Sequence, residues 1–397
     1  MSEPKRKRRG HKEGSVYYDK DRDRWIVAIS HAPGRRKKYS FKTRSEAIKK
    51  KNELLRELEM GMLATGPQRK LGEYIEDWID NVHKDKLRVS SYVKYKKLIK
   101  YIVKELGHVS IQKLSPEQVQ RFYAKMSREG LSSKTVHSIH GVLHLALENA
   151  VRWGYVARNV CDLVSPPRIV SREAVTLTLE QAHALFEKAK EYRLEVLLVM
   201  AVVTGMRRGE LLGLRWADID FANSILSVRR TVDYIAHYGY VETEPKTKAS
   251  RRQIALPSFL LRMLQEHRVK QLEQRLKQGD KWKDQDLVFP NLQGGYYSSR
   301  YLLKVFQKIL QDAKLPHMHF HDLRHSAATL LLSMGVNMKV IQALLGHSNV
   351  SITLGLYSHL LPSMQIEVTE KWDTIFRGEG REDDGEEIDG TGGAKKR

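Results

Sequence analysis

Cysteine is all but absent: the 397-residue chain has one, Cys161. A single thiol excludes an internal disulfide framework and fits a reducing compartment. Long apolar runs are absent too. The longest, Val196 to Val203, has eight residues, whereas a helix crossing a bilayer needs about 20. The basic N-terminus lacks the apolar stretch of a secretory signal. No membrane segment is therefore expected, and a cytoplasmic location is. Acid is in short supply: 47 Asp and Glu face 69 Lys and Arg, a formal net charge of +22. That excess asks for a polyanion, nucleic acid before an anionic membrane surface. Hydrophobic residues at 41% and charged residues at 29% are globular values and exclude wholesale disorder. The length allows two or three domains, each with its own core.

The positive charge is unevenly spread. Residues 1–70 carry a net +12, and Lys5-Arg6-Lys7-Arg8-Arg9 repel one another too strongly to fold alone. A flexible phosphate-binding arm suits them better than a nuclear address, because more basic sequence follows. Val16-Tyr17-Tyr18, Trp25 to Ile29 and Lys38 to Phe41 read as three short strands, turning at Asp19–Arg24 and at Pro33-Gly34. Thr43 to Glu59 reads as a helix with Ser45 near its start. Arg35, Arg36, Lys37 and Lys38 cluster on the second hairpin. Residues 64–70 form a linker, and residues 71–160 read as helical throughout. Apolar groups at 71, 74, 75, 78 and 79 make one stripe, and helices follow over Ser90–Glu105, from Ser115-Pro116-Glu117, and over Ser132–Trp153. The second carries Lys94, Lys96, Lys97, Lys100 and Lys104 between tyrosines, which suits a helix lying along a phosphate backbone. Ser165-Pro166-Pro167-Arg168 is a second linker. Residues 173–376 form the largest domain, mainly helical, with strand-like runs at Ile225–Arg230 and Gln253–Leu256. Residues 377–397 turn acidic and glycine-rich, as a disordered tail does.

Four segments of the largest domain carry chemistry. In Thr204-Gly205-Met206-Arg207-Arg208-Gly209-Glu210-Leu211, an apolar helix delivers the chain to a glycine turn, so Arg207 is aimed, and Glu210 lies one helical turn on to fix it. His321-Asp322-Leu323-Arg324-His325 opens a helix, where His and Arg make a phosphate site. Ala343-Leu344-Leu345-Gly346-His347 ends a helix at Gly346 and puts His347 in the loop. Leu356-Tyr357-Ser358-His359 comes ten residues after His347. Each alone is equally well a surface pair, a cap or a core tyrosine. Metal is the rival for so many histidines. Yet His317, His319 and His321 alternate with no His-Glu-x-x-His and no cysteine pair, and Asp322 is the one carboxylate beside His321 and His347 in sequence. No metal and no cofactor is expected.

Together the segments offer two arginines, two histidines and a tyrosine. A phosphodiester under attack gains negative charge on its non-bridging oxygens, which two guanidiniums clamp bidentately. Tyrosine serves both as nucleophile and as later leaving group, so a phosphotyrosine stores the bond energy and resealing needs no ATP.

In this order, Arg207 in Thr-Gly-x-Arg-x-x-Glu-Leu, His321-x-x-Arg324-His325, Leu345-Gly346-His347 and Tyr357 resemble the tyrosine recombinase family, the lambda-type integrases of phages and conjugative transposons. The resemblance covers nearly the whole chain and implies a multi-domain, mainly α fold with small β elements. Residues 1–65 would be an arm-type DNA-binding domain of three strands and a helix, residues 66–165 a helical core-binding domain, and residues 173–376 the catalytic domain. The histidines at 137, 140 and 144 then fall in the last core-binding helix and are structural. By the same match Arg207 and Arg324 bind the scissile phosphate, His321 and His347 supply proton transfer and phosphate hydrogen bonds, and Tyr357 attacks. Glu210 supports the site. Pro245-Lys246-Thr247-Lys248 resembles the family's β-hairpin lysine motif, which makes Lys246 the general acid, with Lys248 a close rival.

The implied activity is site-specific DNA recombination through a 3′-phosphotyrosine, integrating and excising a phage or mobile element. The implied partners are double-stranded DNA attachment sites, three further copies of the chain in a tetramer on DNA, and, as a further candidate, a directionality factor. The protein would join the nucleoid while acting. A chromosome-dimer-resolving recombinase of the same family is the first alternative, although such enzymes typically lack a domain like residues 1–65. A non-catalytic DNA-binding protein on the same fold is the second.

Overall fold

The computed structural model describes residues 14–32, 35–59, 67–169, 175–245 and 251–346. The basic run before residue 14, the turn at Pro33-Gly34, Lys246, Lys248, His347, Tyr357 and the acidic tail lie outside the described residues. The chain divides into two compact units, residues 1–171 and 172–397.

The first unit opens with an antiparallel sheet in the order β1-β2-β3: β1 (Ser15–Asp19), β2 (Arg24–Ala32) and β3 (Arg35–Phe41). The tight β1–β2 turn suits an Asp-rich sequence. Asp19 Oδ1 accepts from the Asp21 amide at 3.2 Å, and Asp23 adopts a left-handed φ of 50°. Strand alternation sends Val27 and Ile29 into a small core with Ala47 and Leu54 of α1 (Arg44–Glu59). Thr43 caps α1. Its hydroxyl accepts from the Glu46 amide while the Glu46 carboxylate accepts from the Thr43 amide, both at 3.3 Å.

The rest of this unit is a helical bundle: α2 (Leu71–Asp77), which widens into a π turn over Trp78–His83, then α3 (Val89–Leu106), α4 (Pro116–Arg128) and α5 (Ser133–Arg152). Ser115 and Gln118 cap α4 reciprocally, with Pro116 at its first position, and Ser132 caps α5. Tyr74, Trp78, Ile102, Tyr123, Met126 and Leu143 are fully buried between the helices. Two of the three histidines of the expected stripe have partners in this unit, one part-buried and one at the surface. His140 Nδ1 meets the Tyr123 hydroxyl at 2.9 Å, and His144 Nε2 meets Asp162 at 2.8 Å.

In the second unit, α6 (Leu179–Glu191), capped by Thr178 and Gln181, packs on α7 (Glu195–Thr204). The eight-residue apolar run makes α7 a central helix, buried from Leu197 to Val202. There follow α8 (Arg208–Leu212), β4 (Ile219–Asp220), β5 (Ile225–Ser227), β6 (Thr231–Ile235), β7 (Gly239–Thr243), β8 (Gln253–Ala255) and α9 (Ser258–Gln278). Then come α10 (Ser299–Asp312), α11 (Asp322–Ser333) and α12 (Met338–Leu345). A small sheet has the order β4-β5-β8, and β6 pairs with β7 as a separate hairpin. The latter is an addition to the sequence reading. Leu323 joins the main core, whereas Ala328, Leu332, Ile341 and Leu345 make a cluster that clips α12 to α11.

Candidate active site

The site is built where α7 ends. Gly205 stands in the left-handed region at φ 59°, and a Cβ there would lie 2.2 Å from Leu345 Cδ2. A glycine is therefore required twice over, for the turn and for the approach of α12. The turn delivers Arg207 to the N-cap of α8. Glu210, one turn on and 3% exposed, accepts the Arg207 amide at 2.9 Å on Oε2 and its Nη1 at 2.8 Å on Oε1. The Arg207 side chain keeps 38% of its surface exposed, so it is half-buried, with its guanidinium held by Glu210 and the Gly346 carbonyl. Gly209 is needed to seat α8 on β6: a Cβ there would lie 2.3 Å from Thr231 Oγ1.

Arg324, in the first turn of α11, is 2% exposed. Its Nη1 donates to the Gly205 carbonyl at 2.7 Å and its Nη2 to the Leu345 carbonyl. It thus joins the turn before Arg207 to the C-terminus of α12. Gly346 ends α12 at φ 66°, with its amide on the Gln342 carbonyl at 2.9 Å. Arg207 Nη2 reaches the Gly346 carbonyl at 3.4 Å.

Arg252, just before β8, is a residue the sequence reading missed. Its side chain is 5% exposed. Its Nη1 and Nη2 donate to Glu210 Oε1 and Oε2 at 3.3 and 3.0 Å, and its Nε to the Leu344 carbonyl at 2.6 Å. Burial alone would raise the Glu210 carboxyl. The charge and hydrogen bonds of Arg252, then those of Arg207, outweigh burial and hold it below the usual carboxylate range.

His321 sits at the N-cap of α11, its ring 5.2 Å from that of His325 in an edge-on contact. Asp322 Oδ2 accepts the His319 amide at 2.7 Å, so that carboxylate serves the turn before the helix. Burial against protein atoms, then His325, Arg324 and Arg207, push His321 down to about 4. The residue is exposed to solvent, which weakens desolvation as a cause, but the positive neighbours act in the same direction. Burial also lowers His325. Of the six sequence-assigned residues, Arg207, His321 and Arg324 converge around the Gly205 turn and the end of α12. Lys246, His347 and Tyr357 lie outside the described residues. Among the described residues, no three His, Cys, Asp or Glu side chains gather as metal ligands would, and no helix is long and apolar enough to cross a membrane.

On α3, Lys94, Lys97, Lys100, Lys104 and Tyr101 are exposed. Lys96, by contrast, is half-buried and paired: its Nζ meets Asp80 at 2.8 Å, and the Tyr92 hydroxyl lies 2.7 Å from the same carboxylate.

Residues 175–364 match the phage integrase family, and residues 70–127 match the N-terminal SAM-like domain of phage integrases. The chain is 34% identical over 360 residues to a tyrosine recombinase XerC-like protein of Caldanaerobacter subterraneus subsp. tengcongensis, covering 86% of this chain and 92% of that protein. It is 30% identical over 364 residues to an integrase of Streptomyces ambofaciens, covering 88% and 93%. In fold it is similar to the Tn1549 transposon integrase (residues 82–397) in complex with transposon right end DNA. The TM-score is 0.66 at 21% identity, over 76% of this chain and 99% of that one.

Proposed function

The chain belongs to the phage integrase family of tyrosine recombinases, and from that premise we propose that it integrates and excises a phage or other mobile element at DNA attachment sites. The observation that carries the reading is the convergence of Arg207 and Arg324 on one end of α12, one residue before His347 in sequence. Two guanidiniums held there suit a phosphodiester whose non-bridging oxygens gain charge during attack. Arg207, half-buried and braced by Glu210, grips one oxygen. Arg324, oriented by two carbonyls, grips the other. His321, a neutral imidazole at pH 7 by its lowered proton affinity, accepts and returns a proton beside them. Tyr357 attacks the phosphorus, its oxygen replacing the 5′-oxygen of the next nucleotide, and Lys246 protonates that departing oxygen, with Lys248 its rival. His347 adds a hydrogen bond to the phosphate. The reverse attack by a 5′-hydroxyl of a second strand releases the tyrosine. Four copies on two duplexes exchange strands in pairs, with residues 66–165 and 173–376 enclosing the crossover and residues 1–65 gripping arm sites farther out.

The test is covalent trapping. Wild type on a nicked suicide duplex is expected to give a protein–DNA band on a denaturing gel, and Tyr357→Phe, which keeps the ring, is expected to bind the duplex and give none. A band of normal strength from Tyr357→Phe sinks the assignment. A chromosome-dimer-resolving role draws support from the XerC-like relative. The sheet and helix over residues 15–59 favour the integrase instead. Footprinting separates them: an integrase with an arm-binding domain protects discrete sites outside the core, and a chain truncated to start at Leu71 leaves those sites open.

A further inference from the structure

Three consecutive carbonyls at the end of α12 each accept from a different arginine. Leu344 accepts from Arg252, Leu345 from Arg324 and Gly346 from Arg207. The last carbonyls of a helix have no partner within it and carry the negative end of its dipole, so a cation is favoured at each. Two of these arginines have a place in the proposed chemistry. Arg252 has none, is almost completely buried, and yet ties a carboxylate and a helix-end carbonyl together.

Its backbone is fixed first. The Arg252 carbonyl accepts the Val228 amide at 2.9 Å, extending the β5–β8 pairing by one residue. From that anchor the side chain crosses to α8 and α12. All three of its nitrogens are engaged, Nε by Leu344 and both Nη atoms by Glu210. Glu210 in turn holds Arg207 by two further bonds. Arg207 bonds one carboxylate oxygen by its amide and the other by its guanidinium. Arg252 adds a second donor to each oxygen from the opposite element, so the carboxylate is held independently of the Arg207 side chain that it orients.

We propose that Arg252 is a positioning residue for strand cleavage, which fixes the guanidinium of Arg207 through Glu210 and the end of α12 through Leu344. The inference rests on the reading that Arg207 grips the scissile phosphate. It explains why arginine stands here: three donors in a rigid plane satisfy a carboxylate and a carbonyl at once, whereas a lysine offers one nitrogen. It also joins the small sheet to the site, since the Arg252 backbone continues the β5–β8 pairing while its side chain reaches α8 and α12.

The experiment uses the full chain and the nicked suicide duplex, with single-turnover rates of adduct formation and, separately, affinity for the same duplex by gel shift. Wild type is read first. No adduct from wild type sinks the recombinase reading and this proposal with it. Given a wild-type adduct, Arg252→Met is expected to slow its formation about 10²-fold, the scale of a misplaced catalytic group, with affinity little changed. Arg252→Lys, which keeps the charge, is expected to remain about tenfold slow, because it lacks the fork. In the Glu210→Gln background, Arg252→Met is expected to cost much less than alone, as for residues acting through one another. Circular dichroism and thermal melting check folding. If Arg252→Met does not fold, Arg252→Lys decides. Full rate in either folded variant, loss of affinity that accounts for loss of rate, or additive losses with Glu210→Gln would each overturn the positioning role and leave the recombinase reading intact.

Discussion

The two units of this protein use their cations in opposite ways. On α3 of the first unit, Lys94, Lys97, Lys100 and Lys104 project into solvent from successive turns. In the second unit, Arg207, Arg252 and Arg324 are bonded to a buried carboxylate and to backbone carbonyls. A mobile ammonium is a point charge that follows a phosphate backbone without demanding a register. A guanidinium held in a plane addresses one phosphate in one orientation, and that orientation is what lowers a barrier. On the proposed reading, positive charge serves grip in one unit and aim in the other. The difference is set by hydrogen-bond partners, not by the number of charges.

The sharpest way to break that comparison is to replace an aimed cation. Arg207→Ala and Arg324→Ala are each expected to slow adduct formation by roughly 10³-fold or more, the scale on which phosphoryl transfer loses an arginine. Lysine should rescue poorly at both. At position 324 an ammonium lacks the two separated, coplanar nitrogens by which Arg324 reaches the Gly205 and Leu345 carbonyls. At 207 it lacks the fork that bonds Glu210 and the Gly346 carbonyl from two nitrogens of one plane. A lysine variant cleaving within tenfold of wild type would mean that charge alone suffices, and the contrast with α3 would collapse.

The grip side predicts a different signature. Changing Lys94, Lys97, Lys100 and Lys104 together to Ala should leave the cleavage rate of the bound complex unchanged at saturating protein. Affinity for core duplex should fall, and the slope of log affinity against log salt should become shallower by about 0.9 for each lysine that meets a phosphate. Lys96→Ala is the control on the same helix. Its Asp80 pair is a partly exposed ion pair, so its loss should cost roughly 0.2–1 kcal/mol of stability and leave the salt slope alone. Titrations by gel shift at several salt concentrations separate the two, and equal slopes for wild type and the fourfold variant would remove α3 from the DNA-facing surface.

What was legible in the sequence was what is local. Thr204-Gly205 and Leu345-Gly346 announce their turns because a positive φ falls on glycine at both, and Arg207 with Glu210 announces its bond because three residues separate them. The buried central helix showed in its apolar run, and the α4 start in Ser115-Pro116. Arg252 was hidden, because its bonds span 42 residues to Glu210 and 92 to Leu344, and nothing nearby marks it among 69 basic residues. The β6–β7 hairpin was hidden for another reason. It turns through His237 and Gly239 at φ 69° and 78°, without an Asn-Gly or Asp-Gly pair, and Tyr234 and Tyr240 are exposed on it. Its strands therefore lack the clean alternation of a half-buried pair. The start of α1 was legible to within a residue, and Glu46, three residues after Thr43, completes the reciprocal cap there.

The smallest expected effect tests whether the aimed cations also set the state of their neighbour. His321 is faced by Arg324 and Arg207, by His325 on the same helix and by Asp322. Burial and the three positive or titratable groups outweigh Asp322 and hold the imidazole at about 4. Unfolded, a histidine takes up its proton near 6.5. Between about pH 6.5 and 4 the unfolded chain thus binds more protons at this position than the folded one, so stability falls as pH falls through that window and levels off below it. His321→Gln removes the titrating group while keeping a polar side chain. Its melting temperature should therefore decline less than that of wild type on acidification from pH 6.5 to 4, and the two curves should run parallel above pH 7. His325, His140 and His267 are also lowered, but they remain in both proteins and cancel in the difference. The contrast should shrink when Arg207→Ala is added to both, because one of the charges that depresses His321 is then gone. Parallel melting curves from pH 7 down to 4 would show that His321 titrates as an ordinary surface histidine, and that the arginines beside it do not hold the imidazole neutral.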